Sequence, residues 1–377
     1  MAVTQKKIPD YADFVIIGGG LAGMSTAWGL SLLGERNVVV LEKEDFPGMH
    51  SSGRNAAMIR QLVPGEELLE LTTAGARFYA GDAPGWKQAP PFTPDGSFLT
   101  AGPDGWAALE KNALAALGAG VKLEMCSLNR IVEAVPCITG GQISGGAFCP
   151  GDGVTDTDGL IQGYRTAAKV GGASLLTGCE VQNIDIQNGR VSGVQTSRGY
   201  LKTGNLINAA GPWAGLIGSM AGAVKVELSP LRRHLYYTGA LDWADQHWPF
   251  VWDVDRDVYF RPESGGLLLS ACDESPAKPA LPVVDPSVQD LLAAKLSDAF
   301  PSLLDVPIAR SWAGLRTFAP DRAFMLGHDP VLDGFYWVAA LGGHGVTTSS
   351  AVGRIAAADI SGRGAPAPAA FSPSRFA

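Results

Sequence analysis

The stretch "DFVIIGGGLAGMSTAWGLSLLGERNVVVLEKE", from Asp13 to Glu44, restricts the possible folds more than any other part of the chain. The apolar run Phe14–Ile17, a glycine turn, a helical pattern to about Leu33 and a second run, Val38–Leu41, spell a strand–helix–strand unit. Gly18, Gly20 and Gly23 stand in G-x-G-x-x-G register. The first permits the tight turn, the second lets backbone approach a pyrophosphate, and the third lets helix and strand pack closely. The helix N-terminus adds N–H donors and partial positive charge for the anion. Glu42 follows Gly23 by 19 residues, where a carboxylate accepts a ribose hydroxyl and disfavours a 2′-phosphate. The unit predicts a bound dinucleotide and leaves open whether a nicotinamide or a flavin fills it.

Two later segments favour the flavin. Directly after the acid comes a polar loop, His50, Ser51, Ser52, Gly53, Arg54 and Asn55, then the small residues Ala56 and Ala57. Small residues let backbone approach a flat ring. Near the far end, "FYWVAALGGHGVTTSSAVG" opens a helix with Gly342, Gly343 and Gly345, and the positive end of that helix suits an anionic reduced isoalloxazine. A site closed by segments about 300 residues apart suits a fixed, enclosed cofactor, and FAD is the expectation.

At 377 residues the chain exceeds one ordinary core and predicts two intergrown domains. The expected class is mixed α/β, with a Rossmann-like FAD domain built from residues 1–84, 151–222 and 311–364. An antiparallel-sheet substrate domain is expected from 85–150 and 223–310, with a loose proline- and alanine-rich tail, 365–377. The run 181–209 reads as a meander, and Asp158 as a helix cap. A formal charge of −8 argues against nucleic acid as a partner. Five cysteines without metal spacing read as reduced, structural thiols. "MAVTQKKIPDYAD" has no secretory pattern and no 18-residue apolar run exists, so the expected location is cytoplasmic, at most membrane-peripheral.

The fingerprint together with "HSSGRNAA", "INAAGPW", "WAGLRTF" and "ALGGHG" resembles the D-amino-acid oxidase group of FAD-dependent oxidoreductases, and within it the bacterial FAD-dependent D-arginine dehydrogenases. The resemblance implies a non-covalent FAD contacted by Lys43, Val181, Gly211, Trp213, Gly314, Val346 and Thr347 besides the residues above. It implies oxidative deamination of a D-amino acid: hydride passes from Cα to flavin N5, and the imine hydrolyses to a 2-oxo acid and ammonia. Arg316, Arg233 and Tyr259 match the group's carboxylate-binding residues, with Gly343 and His344 beside them. A quinone, an electron carrier or O2 would reoxidise the flavin. Oxidation of an N-methyl or secondary amino acid, or a non-catalytic role as a flavoprotein subunit, are the alternatives.

Departures from the arginine-specific pattern set the expected substrate. Ser97 stands where that pattern has a glutamate, and Met58 and Val63 replace a histidine and a tyrosine in the lid loop. Without the glutamate a cationic side chain has no buried partner. These changes predict a neutral or apolar substrate. In "RRHLYY", strand alternation sends Arg232 and Arg233 to opposite faces.

Overall fold

A computed structural model of the chain describes residues 7–377; the first six residues of the N-terminal segment lie outside it. The strand–helix–strand unit forms as read: Phe14–Ile17 and Val38–Leu41 pair in parallel, with the helix Leu21–Leu32 between them. They sit inside a six-stranded sheet of order Met325–His328, Phe335–Ala339, Leu206–Asn208, Phe14–Ile17, Val38–Leu41, Ser174–Leu176. All its neighbours are parallel except the first pair. Both Phe14–Ile17 and Val38–Leu41 are buried throughout, as strands covered on two faces must be. Helices Leu21–Leu32, Thr157–Val170 and Gly345–Ile360 share one apolar layer with Ile16, Val40, Ile207 and Val338.

The meander is a separate three-stranded sheet, Val181–Gln187, Arg190–Thr196 and Gly199–Lys202. Asn188 and Gly189 both take positive φ (52° and 75°) at its first turn, as a tight right-twisted hairpin needs.

The second large sheet has eight strands, ordered Arg310–Phe318, Ser229–Ala240, Gly266–Ser270, Val258–Glu263, Phe250–Asp253, Ser97–Ala101, Gly145–Cys149, Glu124–Ser127. Its one parallel pairing joins Phe250–Asp253 to Ser97–Ala101. Three expectations need correction here. The strand Arg310–Phe318, assigned to the FAD domain, pairs along its whole length with Ser229–Ala240 and belongs to this sheet. The helix cap is Asp156, whose carboxylate accepts the N–H of Asp158. The tail is not loose: Phe371 is 4% exposed, stacks on Phe324 at 5.3 Å, and Arg375 pairs with Asp321 at 2.6 Å. A Pro/Ala-rich composition hid one aromatic that finds an apolar slot at the end of the six-stranded sheet.

Candidate active site

The glycine turn forms one wall of a cavity lined by Gly18, Gly20, Glu42, Lys43, His50, Ser51, Ser52, Asn55, Val181, Gly211 and Trp213. Its turn is too tight for side chains: a Cβ on Gly23 would lie 1.9 Å from the Gly18 carbonyl oxygen. Glu42 is buried, with one carboxylate oxygen accepting from Gly19 N (2.7 Å) and the other from Glu44 N (2.9 Å).

The polar loop is bonded onto the start of the first helix. Ser52 Oγ accepts from Leu21 N at 3.0 Å, and Asn55 Nδ2 donates to the Ser51 and Ser52 carbonyls. Asn55 Oδ1 accepts from Ala57 N at 2.7 Å, holding Ala57 at φ 55°, and Arg261 Nε donates to the Ala56 carbonyl at 2.6 Å. Ala56 and Ala57 are both buried. His50 Nε2 lies 2.9 Å from Glu44 and its ring packs edge-on to Trp213, while its buried Nδ1 has no partner. Hydrogen bonding to His50 holds the Glu44 carboxyl below its ordinary range. Lys43 Nζ sits 3.6 Å from the Trp213 ring centroid.

The cavity continues past Gly314, Gly342, Gly343, Gly345 and Val346 to Arg233 and Arg316. Arg316 leaves the strand Arg310–Phe318 opposite Leu231, and Gly314 opposite Arg233, so the two arginines share one face of the sheet. Arg232, on the other face, reaches Asp285 at 3.5 Å, as alternation requires. Arg233 Nε donates to the Asp273 carbonyl (3.0 Å) and Nη2 to Glu274 (3.4 Å), but its buried Nη1 has no partner. Arg316 makes no ion pair among the described residues. Burial, and then repulsion from Arg233, lowers its guanidinium from the usual value. Tyr259 is fully buried with an unpartnered hydroxyl; the neighbouring Ser270 hydroxyl is committed to the His234 carbonyl at 2.7 Å. Burial raises the Tyr259 pKa, with Arg316 pulling it back, so the phenol is a donor at neutral pH. His344 precedes the helix Gly345–Ile360, and burial pushes its pKa down to about 3, keeping it neutral.

Nine expected positions do not line this cavity: Gly23, Ala56, Ala57, Met58, Val63, Ser97, Tyr259, His344 and Thr347. Val63 lies in an apolar cluster with Leu99 and Phe250. Ser97 is buried and donates to Asp152 at 2.7 Å. Thr347 Oγ1 accepts from Arg60 N (3.2 Å), tying helix to lid strand. Met58 packs against the cluster containing Ala56 and Tyr259. Arg60, which no motif marked, stands over the face of Trp252, 4.1 Å from its centroid; its signal was an arginine three positions after the small-residue pair of the lid loop.

The residues present fit FAD. Side chains on Gly18 and Gly23 would clash with backbone, Glu42 is in place for a ribose, and His50, which lines the cavity, has a buried Nδ1 without a partner. A family profile described as DAO, FAD dependent oxidoreductase, matches residues 13–359. The chain belongs to this family. Among relatives of this DAO-family chain, human mitochondrial sarcosine dehydrogenase is 28% identical over 361 residues, covering 88% of the chain and 38% of the relative. The mouse mitochondrial pyruvate dehydrogenase phosphatase regulatory subunit is 23% identical, covering 93% and 41%. The chain thus spans about two fifths of the length of these relatives. The crystal structure of L-proline dehydrogenase from P. horikoshii superposes with a TM-score of 0.88 at 25% identity, covering 98% of both chains. By membership the chain is a DAO-family FAD-dependent oxidoreductase. No helix among the described residues is long and apolar enough to cross a membrane.

Proposed function

We propose that this chain oxidises a C–N bond of a small amino acid whose α-carboxylate is received by Arg316, Arg233 Nη1 and the Tyr259 hydroxyl. The observation that carries the reading is a set of donors with no protein acceptor: the Arg316 guanidinium, which lines the cavity and makes no ion pair among the described residues, the buried Arg233 Nη1 and the buried Tyr259 hydroxyl. Buried donors left unmade cost free energy, so a site that keeps two of them beside an unpaired cation is arranged for an anion that arrives. FAD, when bound, supplies the two-electron acceptor for the carbon next to nitrogen.

The protein's own share is placement. Arg316 and Arg233 fix the carboxylate by charge-assisted bonds, and the buried Tyr259 donates a third. Neutral His344 adds no charge that would repel a protonated amine. Positioning of this kind accounts for a large part of the barrier in a reaction that needs no strong base.

Two substrate forms share this grip. One is deamination of a D-amino acid to a 2-oxo acid and ammonia. The other is oxidation of a secondary amine, supported by relatives named for sarcosine and proline. Of the residues read as favouring a neutral or apolar side chain, only Met58 packs beside Tyr259; Ser97 and Val63 are turned away from the cavity, so the expectation has little left to rest on. A quinone, a carrier or O2 serves as acceptor. The test is anaerobic mixing of the yellow protein with a stereochemically sorted amine panel, followed by product analysis. Ammonia with a 2-oxo acid marks the first form, and an aldehyde with the dealkylated amine, or a cyclic imine, the second. A flavin that no amine bleaches would move the chain towards the regulatory role named for its mouse relative.

A further inference from the structure

Arg60 follows the short strand Met58–Ile59, and its guanidinium lies on Trp252 at 4.1 Å. Trp252 packs against Tyr259 with ring centroids 4.9 Å apart, which sets Arg60 beside the carboxylate-binding group. The half-buried guanidiniums of Arg60 and Arg316 repel each other, and both act on His344. Trp252 gives the Arg60 cation a cation–π partner, and its guanidinium donates to no protein acceptor among the described residues.

The carboxylates that offset Arg60 from further away are already engaged. Asp152 accepts from Gln61 N (3.1 Å), Gln61 Nε2 (3.0 Å) and Ser97 (2.7 Å). Asp257 accepts the Trp252 indole N–H at 3.1 Å. Glu274, which offsets Arg233 instead, is shared between that residue (3.4 Å) and Arg322 (2.7 Å). No carboxylate among the described residues reaches ion-pair distance of Arg60 or Arg316. One substrate carboxylate answers Arg316 and leaves the in-plane fork of Arg60 open.

We propose that the substrate carries a second carboxylate and that Arg60 receives it. The substrate class is then a dicarboxylic amine: an amino acid with an acidic side chain, or one bearing a carboxyalkyl group on nitrogen. This rests on the carboxylate grip proposed above and sets the far end of the substrate against it. A guanidinium over an indole face, with no protein acceptor, keeps N–H donors free to meet a carboxylate.

The experiment compares matched pairs in anaerobic flavin reduction and steady state, using the full chain with FAD. Iminodiacetate is set against sarcosine, and D-glutamate against D-norvaline. The dicarboxylate should lead in kcat/KM by roughly 30-fold in at least one pair, the scale of one charged hydrogen-bond contact. The pair that shows the preference tells whether the second anion sits on nitrogen or on the side chain. In Arg60→Gln that ratio should collapse towards unity, and in Arg60→Lys, which keeps the charge, it should largely survive. Should Arg60→Gln lose its flavin, binding of malonate against acetate to the wild-type protein, read as a shift of the flavin spectrum, replaces it; malonate should bind more tightly by a similar factor. Monocarboxylic amines that reduce the flavin as well as their dicarboxylic partners would overturn this inference and leave the carboxylate grip standing. Failure of every amine in both pairs would overturn both.

Discussion

Gly343 lies against the Arg316 guanidinium: a Cβ at position 343 would stand 3.0 Å from Arg316 Cδ and 3.1 Å from its Cζ. Gly343 also holds φ at 91°, where side chains are strained. The glycine turn from one end of the chain therefore sets the room left for the arginine of the eight-stranded sheet. Gly343→Ala should displace Arg316 before it disturbs FAD. We expect kcat/KM to fall by at least about tenfold, the effect of a side chain moved by a fraction of an ångström. Retained flavin with unchanged kinetics would show that Arg316 has slack.

Arg316 itself should carry more. Arg316→Met removes a half-buried cation whose proposed partner is the substrate's carboxylate, a change worth roughly 10²- to 10³-fold in kcat/KM. Flavin absorbance and melting temperature should hold, because no protein acceptor loses a bond. Stopped-flow reduction of the variant's flavin checks the number.

His344 gives a pH signature. Its pKa falls from 6.5 to about 3 on folding, first through burial and then through Arg60, Arg316 and Arg322. The unfolded chain therefore binds the extra proton between those values. The stability this neutral histidine confers is complete above pH 6.5 and lost as pH falls, by about 2 kcal/mol at pH 5. Buried Asp152, raised to about 6, works in the opposite sense, gaining stability as pH falls, so only a difference isolates the histidine. Melting temperatures of wild type and His344→Gln at pH 7 and pH 5 should converge at the lower pH. A constant gap would contradict the assignment.

Much of this was legible because the cofactor motif is local. Gly18, Gly20, Gly23 and Glu42 lie within 25 residues, and strand, turn and helix follow from periodicity over that span. Arg316 and Arg233 were reachable through motif resemblance and strand alternation. Arg60 was not, because what marks it is Trp252, 192 positions away and brought near only by sheet pairing. Ser97 misled for the related reason that its hydroxyl direction depends on Asp152, placed by a loop after another strand. The tail was misread because composition averages over Phe371 and Arg375, the residues that dock it.

That docking is testable. Phe371→Ala empties a nearly closed slot beside Phe324 and should cost about 3 kcal/mol. Thermal unfolding of the holoprotein should shift down by several degrees, and a loose tail would show no shift.

His50 bears on how FAD is held. Its Nε2 is taken by Glu44, while its buried Nδ1 has no protein partner and would be free to hydrogen-bond the cofactor. Acid precipitation should release yellow colour into the supernatant. Colour kept in the pellet would mean a covalent link.

The claim beneath all of these is that an amine is presented for oxidation by its carboxylate. Anaerobic flavin reduction by an amino acid and by the same molecule with its carboxyl group removed or esterified, sarcosine against dimethylamine and sarcosine against its ethyl ester, tests it directly. Bleaching is predicted for the free carboxylate, and little or none for the counterparts that lack one. Equal rates for both would contradict it.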